Sequence, residues 1–172
     1  MITRVAVSLG LVIVLCPTLL LGITNIQPVS TKEYDHPFVR YLESRYQEYL
    51  TAEKSGDIEK YKQLRPKEII EFMEDNLRKR NKLQFFKERL IDLSQYSHEL
   101  KTFRFYQCEV FDDAARLTYI NDSPREVHIE TLIILFHFQD NLWKVGKMIH
   151  TVEHSKEKTL DDVLQDAYAK FK

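Results

Sequence analysis

Near residue 100 the spacing of the apolar residues changes from three or four to two. Before that point Phe38, Leu42, Tyr46, Tyr49 and Leu50 recur at helical intervals, one stripe of an amphipathic helix. After it, "LKTFRFYQCEVF", "AARLTYI", "REVHIETLIILFHF" and "LWKVGKMIHTV" read as strands, separated by Asp112-Asp113, Asn121 to Pro124 and Asp140-Asn141. Four successive strands on short connections form an antiparallel meander. Helices first and such a sheet second define an α+β fold, with N-terminal helices packed on a curved antiparallel sheet.

The punctuation predicts the helix limits. Asp35 caps a helix whose first turn holds Pro37, and Gly56 takes the left-handed position that ends it. Asp57-Ile58-Glu59 opens a short second helix. Pro66 opens a third, with Ile69, Ile70, Phe72, Met73 and Leu77 on the buried side. Its run Arg78-Lys79-Arg80 reads as a solvated end that complements the helix dipole. "LQFFKERLIDLSQY" supplies a fourth helical segment with Phe86, Leu90 and Leu93 inward. Thr159 caps a last amphipathic helix, carrying Leu160, Val163, Leu164 and Tyr168, that packs on the domain or on a partner. The apolar stretch Leu132 to Phe136 has the composition of a strand buried on both faces.

The segment 1–24 is read as a signal peptide or membrane anchor, because Arg4 precedes nineteen uncharged residues, Val5 to Ile23. As a helix that run spans about 28 Å, close to a hydrocarbon core of about 30 Å. Pro17 and Gly22 favour a signal; the missing Ala-x-Ala triplet favours retention. Residues 25–35 form a linker, 36–154 the α+β domain and 155–172 the C-terminal helix. The chain is therefore expected to be exported, periplasmic or extracellular, and membrane-anchored if the segment is kept.

Composition removes several classes of function. The net charge of −1 provides no global field for nucleic acid. Four glycines leave no supply for a phosphate-binding loop. Of two cysteines, Cys16 lies in the leader, so a disulfide framework is excluded and Cys108 reads as a core residue. No metal-ligand spacing appears, and no cofactor is expected.

Three stretches, "YLESRYQEYLTAEKSGDIEKYKQL", "CEVFDDAARLTYI" and "LFHFQDNLWKV", together resemble the nuclear transport factor 2-like (SnoaL-like, cystatin-like) superfamily. Asn141 stands where that family often has Gly, and Leu142 is inserted before Trp143-Lys144-Val145. The resemblance implies a cone-like domain over most of residues 36–153. It also implies a tendency to dimerise through the open sheet face, and, in the family's enzymes, an Asp and a His lining the cone.

Candidate catalytic residues are His128, Glu130, His137 and Glu153. With Asp140-Asn141 as a two-residue turn, Gln139 pairs with Leu142, and the same register places His128 opposite Glu153, Thr131 opposite His150, and His137 opposite Lys144. Opposed side chains share a face, so His128–Glu153 is a possible imidazole–carboxylate dyad. His137 and His150 fall on a common face, too far apart to share a metal. Tyr46, Tyr49, Phe136 and Trp143 are candidates to line a ligand pocket, and Trp143 also reads as a core anchor.

The leading expectation is a non-enzymatic exported binding or assembly domain, with a homodimer or an envelope protein as partner and Phe103, Phe105, Phe111 or Tyr119 among its outward residues. One alternative is a small SnoaL-like isomerase, cyclase or hydratase acting on an apolar substrate in the cone. Another is a carrier of a small apolar ligand.

Overall fold

The computed structural model describes residues 27–122, 128–153 and 158–170. The apolar segment 1–24, expected to be a signal or anchor, lies outside the described residues, as does His154. Among the described residues no helix is long and apolar enough to cross a membrane.

Helix α1 spans Pro37–Ser55 and ends on Gly56, whose φ of 66° is the left-handed cap the sequence calls for. Its N-cap is His36, not Asp35: the imidazole Nδ1 accepts the Phe38 N–H at 3.2 Å, while Asp35 accepts from the Arg40 guanidinium at 2.6 Å. Helix α2 (Ile58–Leu64) starts on an Asp57 cap, and α3 (Lys67–Lys79) follows Pro66. Helix α4 covers Phe86–Ser94 and buries Phe86 and Leu90. On α3 the expected buried side is only partly realised. Ile70 is buried and Met73 and Leu77 pack against the core, but Phe72 is 69% exposed.

Strands β1 (Arg104–Phe111), β2 (Ala114–Asp122), β3 (Ile129–Gln139) and β4 (Leu142–Glu153) form one antiparallel sheet in the order β1-β2-β3-β4. The β3–β4 turn has Asp140 at φ 55° and Asn141 at φ 60°, the two positive values of the hairpin turn whose twist matches the strands. Cys108 lies opposite Leu117 in β1–β2, buried, and burial pushes its thiol up to about 12.

Two bulges break the ladder. One sits at Tyr106 in β1. The other lies in β4, where Phe136 faces Val145 but Ile134 faces Met148, so Gly146 and Lys147 together oppose Leu135. An extra residue in one strand reverses the face of everything beyond it. Trp143 and Val145 therefore share a face with Met148 and His150.

That face carries the main core. Phe38, Leu42, Tyr46 and Tyr49 of α1 and Tyr61 of α2 pack against Leu117, Leu132, Ile134, Phe136, Trp143 and Val145. Helix α5 (Leu160–Ala169) contacts β3 and β4. Its buried Val163, Leu164 and Ala167, with Ile120, Ile133 and Ile149, lie outside the main cluster. The sheet is thus covered on both sides, which is why Leu132, Ile133 and Ile134 are all fully buried in succession.

Two arginines bind the helical layer to the bulged strand. Arg65, just after α2, donates from Nη1 to the carbonyls of Val145 (3.0 Å) and Gly146 and lies over the rings of Tyr49 and Tyr61. Arg45 donates from Nε to the Trp143 carbonyl at 3.2 Å.

Candidate functional site

Beside the apolar stripe of α1 runs a second, polar one: Arg40, Glu43, Ser44 and Gln47, spaced three or four apart and so on one side of the helix. It forms one wall of an open cleft of about 710 Å³. The opposite wall begins at the short 3₁₀ turn Leu100–Thr102, which aims Phe103 and then β1 past α1. Phe105 lies opposite Tyr119 in the β1–β2 ladder, their rings edge to face at 5.8 Å, and Tyr34 packs on Phe105 at 5.7 Å.

Polar groups converge on that aromatic floor. The Tyr119 hydroxyl donates to Glu43 Oε1 at 2.7 Å, and Arg40 donates to Glu43 Oε2 at 3.4 Å. Burial, reinforced by the Glu43 carboxylate, raises the Tyr119 phenol far above its ordinary range, so it stays a neutral donor. Arg40 lies over the Tyr34 ring at 3.8 Å, and Lys101 and Arg104 border the same cleft. Its volume lies within the roughly 300–1,000 Å³ of small-ligand sites, and its lining is mixed, with an aromatic side of Tyr34, Phe103, Phe105 and Tyr119 facing a polar and charged one.

A second cluster lies next to it, sharing Phe103. Glu130 sits between two imidazoles, its Oε1 at 3.2 Å from His128 Nε2 and its Oε2 at 3.7 Å from His150 Nε2. The His150 ring lies 4.0 Å from that of His98, and Phe103 meets both edge to face. Burial and the neighbouring His150 lower the His98 pKa, with Glu130 opposing them. The loop carrying His98 is held by α1: Tyr46 donates to the His98 carbonyl at 2.7 Å, and Ser97 donates to the buried carboxylate of Glu53, which also accepts from Tyr49 at 2.6 Å. Among the described residues no group of three or more such side chains is placed to hold a metal ion.

Of the residues expected from sequence, His128 and Glu130 come together, but the His128–Glu153 opposition does not form. The β4 bulge shifts the register by one, so Glu153 faces Ile129, Thr131 faces Thr151 and Leu132 faces His150. Glu153 is instead 3.6 Å from Lys158. His137 does face Lys144, yet the bulge puts it on the face opposite His150, with its ring against Gly146. Tyr46, Tyr49, Phe136 and Trp143 are packed in the core at 0–6% exposure, and none lines one of the clefts described here. Of the four aromatic residues expected to include outward ones, Phe111 is 44% exposed and Tyr119 is buried.

His98 and the polar stripe of α1 escaped the sequence reading. His98 stands in a loop with no periodic context. The stripe was legible as a run of polar residues at helical spacing, but such runs ordinarily face water, and only the position of β1 makes this one a wall. Comparison of the chain with protein-family models, with curated proteins and with solved structures gives no match.

Proposed function

We propose that this chain is an exported, non-enzymatic binding domain, anchored by residues 1–24 or released from them, and that it binds a small amphipathic molecule in the cleft between α1 and β1. The observation that carries the reading is the cleft's lining. An apolar floor of Phe103, Phe105 and Tyr119 lies under the polar wall of Glu43, Ser44 and Gln47, with Arg40, Lys101 and Arg104 alongside. Such a site favours an aromatic or aliphatic body bearing a negative or hydrogen-bonding end. Export rests on the sequence of the leader.

We also hold to the nuclear transport factor 2-like reading of the fold. What supports it is the order of long helix, Gly-Asp break, second helix and antiparallel sheet closing on the Asp140-Asn141 hairpin. A homodimer or an envelope protein remains the proposed macromolecular partner; α5 already occupies the outer face of β3 and β4, so such a contact would use another surface.

The test is native mass spectrometry of the full chain, purified in detergent, beside Ser44→Trp. Ser44 is exposed on the cleft wall, so an indole there fills the cleft without touching the core. The expected result is a small molecule bound one to one in the wild type and absent from the variant. Equal retention by both would reject the cleft as the site.

The enzyme reading, an isomerase, cyclase or hydratase, is favoured by one observation, the placement of Glu130 between His128 and His150. It requires that Glu130→Gln abolish turnover of an apolar substrate while leaving its binding intact.

A further inference from the structure

The α3–α4 connection combines exposed positive charge with exposed apolar side chains. Between residues 78 and 89, "RKRNKLQFFKER" holds six basic residues and one acidic in a chain of net charge −1. Every residue from 78 to 85 is exposed, and Asn81 turns the chain at φ 55°. Arg78 pairs with Asp75 at 3.1 Å. Among the described residues no ion pair within 4.0 Å engages Lys79, Arg80, Lys82, Lys87 or Arg89, so the positive charge is not neutralised within the domain.

Large apolar side chains stand among these cations. Phe85 is 49% exposed and Leu83 39%, and Phe72 of α3 is more exposed still. Phe72 and Phe85 line one groove of about 1,020 Å³ together with Arg80, Lys82 and Arg89; Glu88 and Asp92 of α4 line it too. Exposed aromatic groups cost hydration free energy unless something covers them.

From this we propose that the α3–α4 connection is a contact surface for an anionic lipid bilayer, with Leu83 and Phe85 entering the interface and Arg78 to Lys82 meeting the headgroups. The pairing of cations with apolar tips chooses this occupant. A soluble polyanion engages the cations alone, whereas an anionic bilayer meets both, because peripheral binding sums buried apolar area and attraction to the charged headgroups. A domain tethered by residues 1–24 would then lie with this end against the membrane.

The test reads the loop itself, so that any membrane affinity of residues 1–24 is common to all samples. Trp143 is the chain's only tryptophan and is 6% exposed, which makes Phe85→Trp a local reporter. The full-length variant is reconstituted in phosphatidylcholine vesicles with and without phosphatidylglycerol, using brominated lipids as quenchers. Phe138→Trp serves as a control. Phe138 is 44% exposed and follows the sheet to Gln139, which accepts the Lys67 N–H at 3.0 Å at the start of α3. That lies roughly 20 Å along the helix from the proposed contact.

The expected result is a blue-shifted, bromolipid-quenched emission for Phe85→Trp in anionic vesicles only. It is lost in high salt and in a background of Lys79→Glu, Arg80→Glu and Lys82→Glu, whose circular dichroism matches the parent, while Phe138→Trp stays unquenched. Three outcomes overturn the proposal: quenching no greater than that of Trp143 in the unmodified chain, equal quenching in neutral vesicles, or survival of quenching in the triple reversal. Binding of a polyanion such as heparin that is insensitive to Phe85→Ser, with no quenching in vesicles, would replace the bilayer with a soluble partner.

Discussion

Trp143→Ala is expected to destabilise the domain by about 3–5 kcal/mol, the range for a buried tryptophan. The indole is 6% exposed, meets Phe38 of α1 edge to face at 5.4 Å and lies 5.3 Å from Phe138 across the hairpin. Burying a side chain of this size removes roughly 200 Å² from water, or about 5 kcal/mol at about 25 cal/mol per Å². Two features place the loss near the lower end. β4 is an edge strand, and Phe138, 44% exposed, has room to move into the space left. For a domain of this size about 3 kcal/mol corresponds to a fall in Tm of roughly 6–12 °C. The assay is thermal and urea unfolding by circular dichroism, since the substitution removes the only fluorescent indole. Phe138→Ala, which truncates the exposed partner, should cost much less. A Tm within about 2 °C of wild type at an unchanged urea slope would refute the view that Trp143 fastens the hairpin to α1.

Other perturbations give outcomes of different kinds. Gly146→Ala should destabilise the domain by more than about 1 kcal/mol, measured by urea unfolding, because overpacking at a closed site is costly: its Cβ would lie 2.6 Å from the His137 ring and 3.0 Å from the Leu135 carbonyl. The His98 pKa is lowered in the folded state, so the unfolded chain binds the extra proton. This stability is complete above the unfolded value of about 6.5 and is lost as pH falls below it; His98→Asn should flatten that limb of a Tm-against-pH curve. Tyr119→Phe removes the phenol's charge-assisted hydrogen bond to Glu43 and should lower both affinity in the cleft, measured by calorimetric titration, and Tm, by several degrees. Intact mass from membrane and soluble fractions should show either the full chain in the membrane or a species cut near Thr24 or Ser30; a full-length soluble protein would contradict export.

What the sequence disclosed was governed by local chemistry. Gly56 at a left-handed cap, the Thr159 cap, the Asp140-Asn141 hairpin and the doubly buried Leu132 to Ile134 all follow from a few neighbouring residues and were legible. The limits of the reading lie where one residue alters a long-range relation. A bulge at Gly146-Lys147 leaves His137 opposite Lys144, yet carries His150 to the other face and toward His98, and it dissolves the His128–Glu153 pairing. Periodicity cannot announce such an insertion, because each side of it remains regular. Phe72 shows a different limit. Its helical position belongs to the buried stripe, but it lines an open groove beside α4 and stays 69% exposed, because exposure depends on what lies opposite. The cap of α1 passed from Asp35 to His36 by a single step, within the latitude of any boundary, and the displaced carboxylate found Arg40.

Occupancy of the cleft between α1 and β1 is read by hydrogen exchange of the full chain with and without naphthalene-2-sulfonate. That probe pairs an aromatic body for Phe103, Phe105 and Tyr119 with an anion for Arg40, Lys101 and Arg104. Slowed exchange confined to peptides spanning residues 40–47 and 100–107, and abolished by Ser44→Trp, is the predicted result. No protection at saturating probe, or protection centred on the α3–α4 groove, would contradict it.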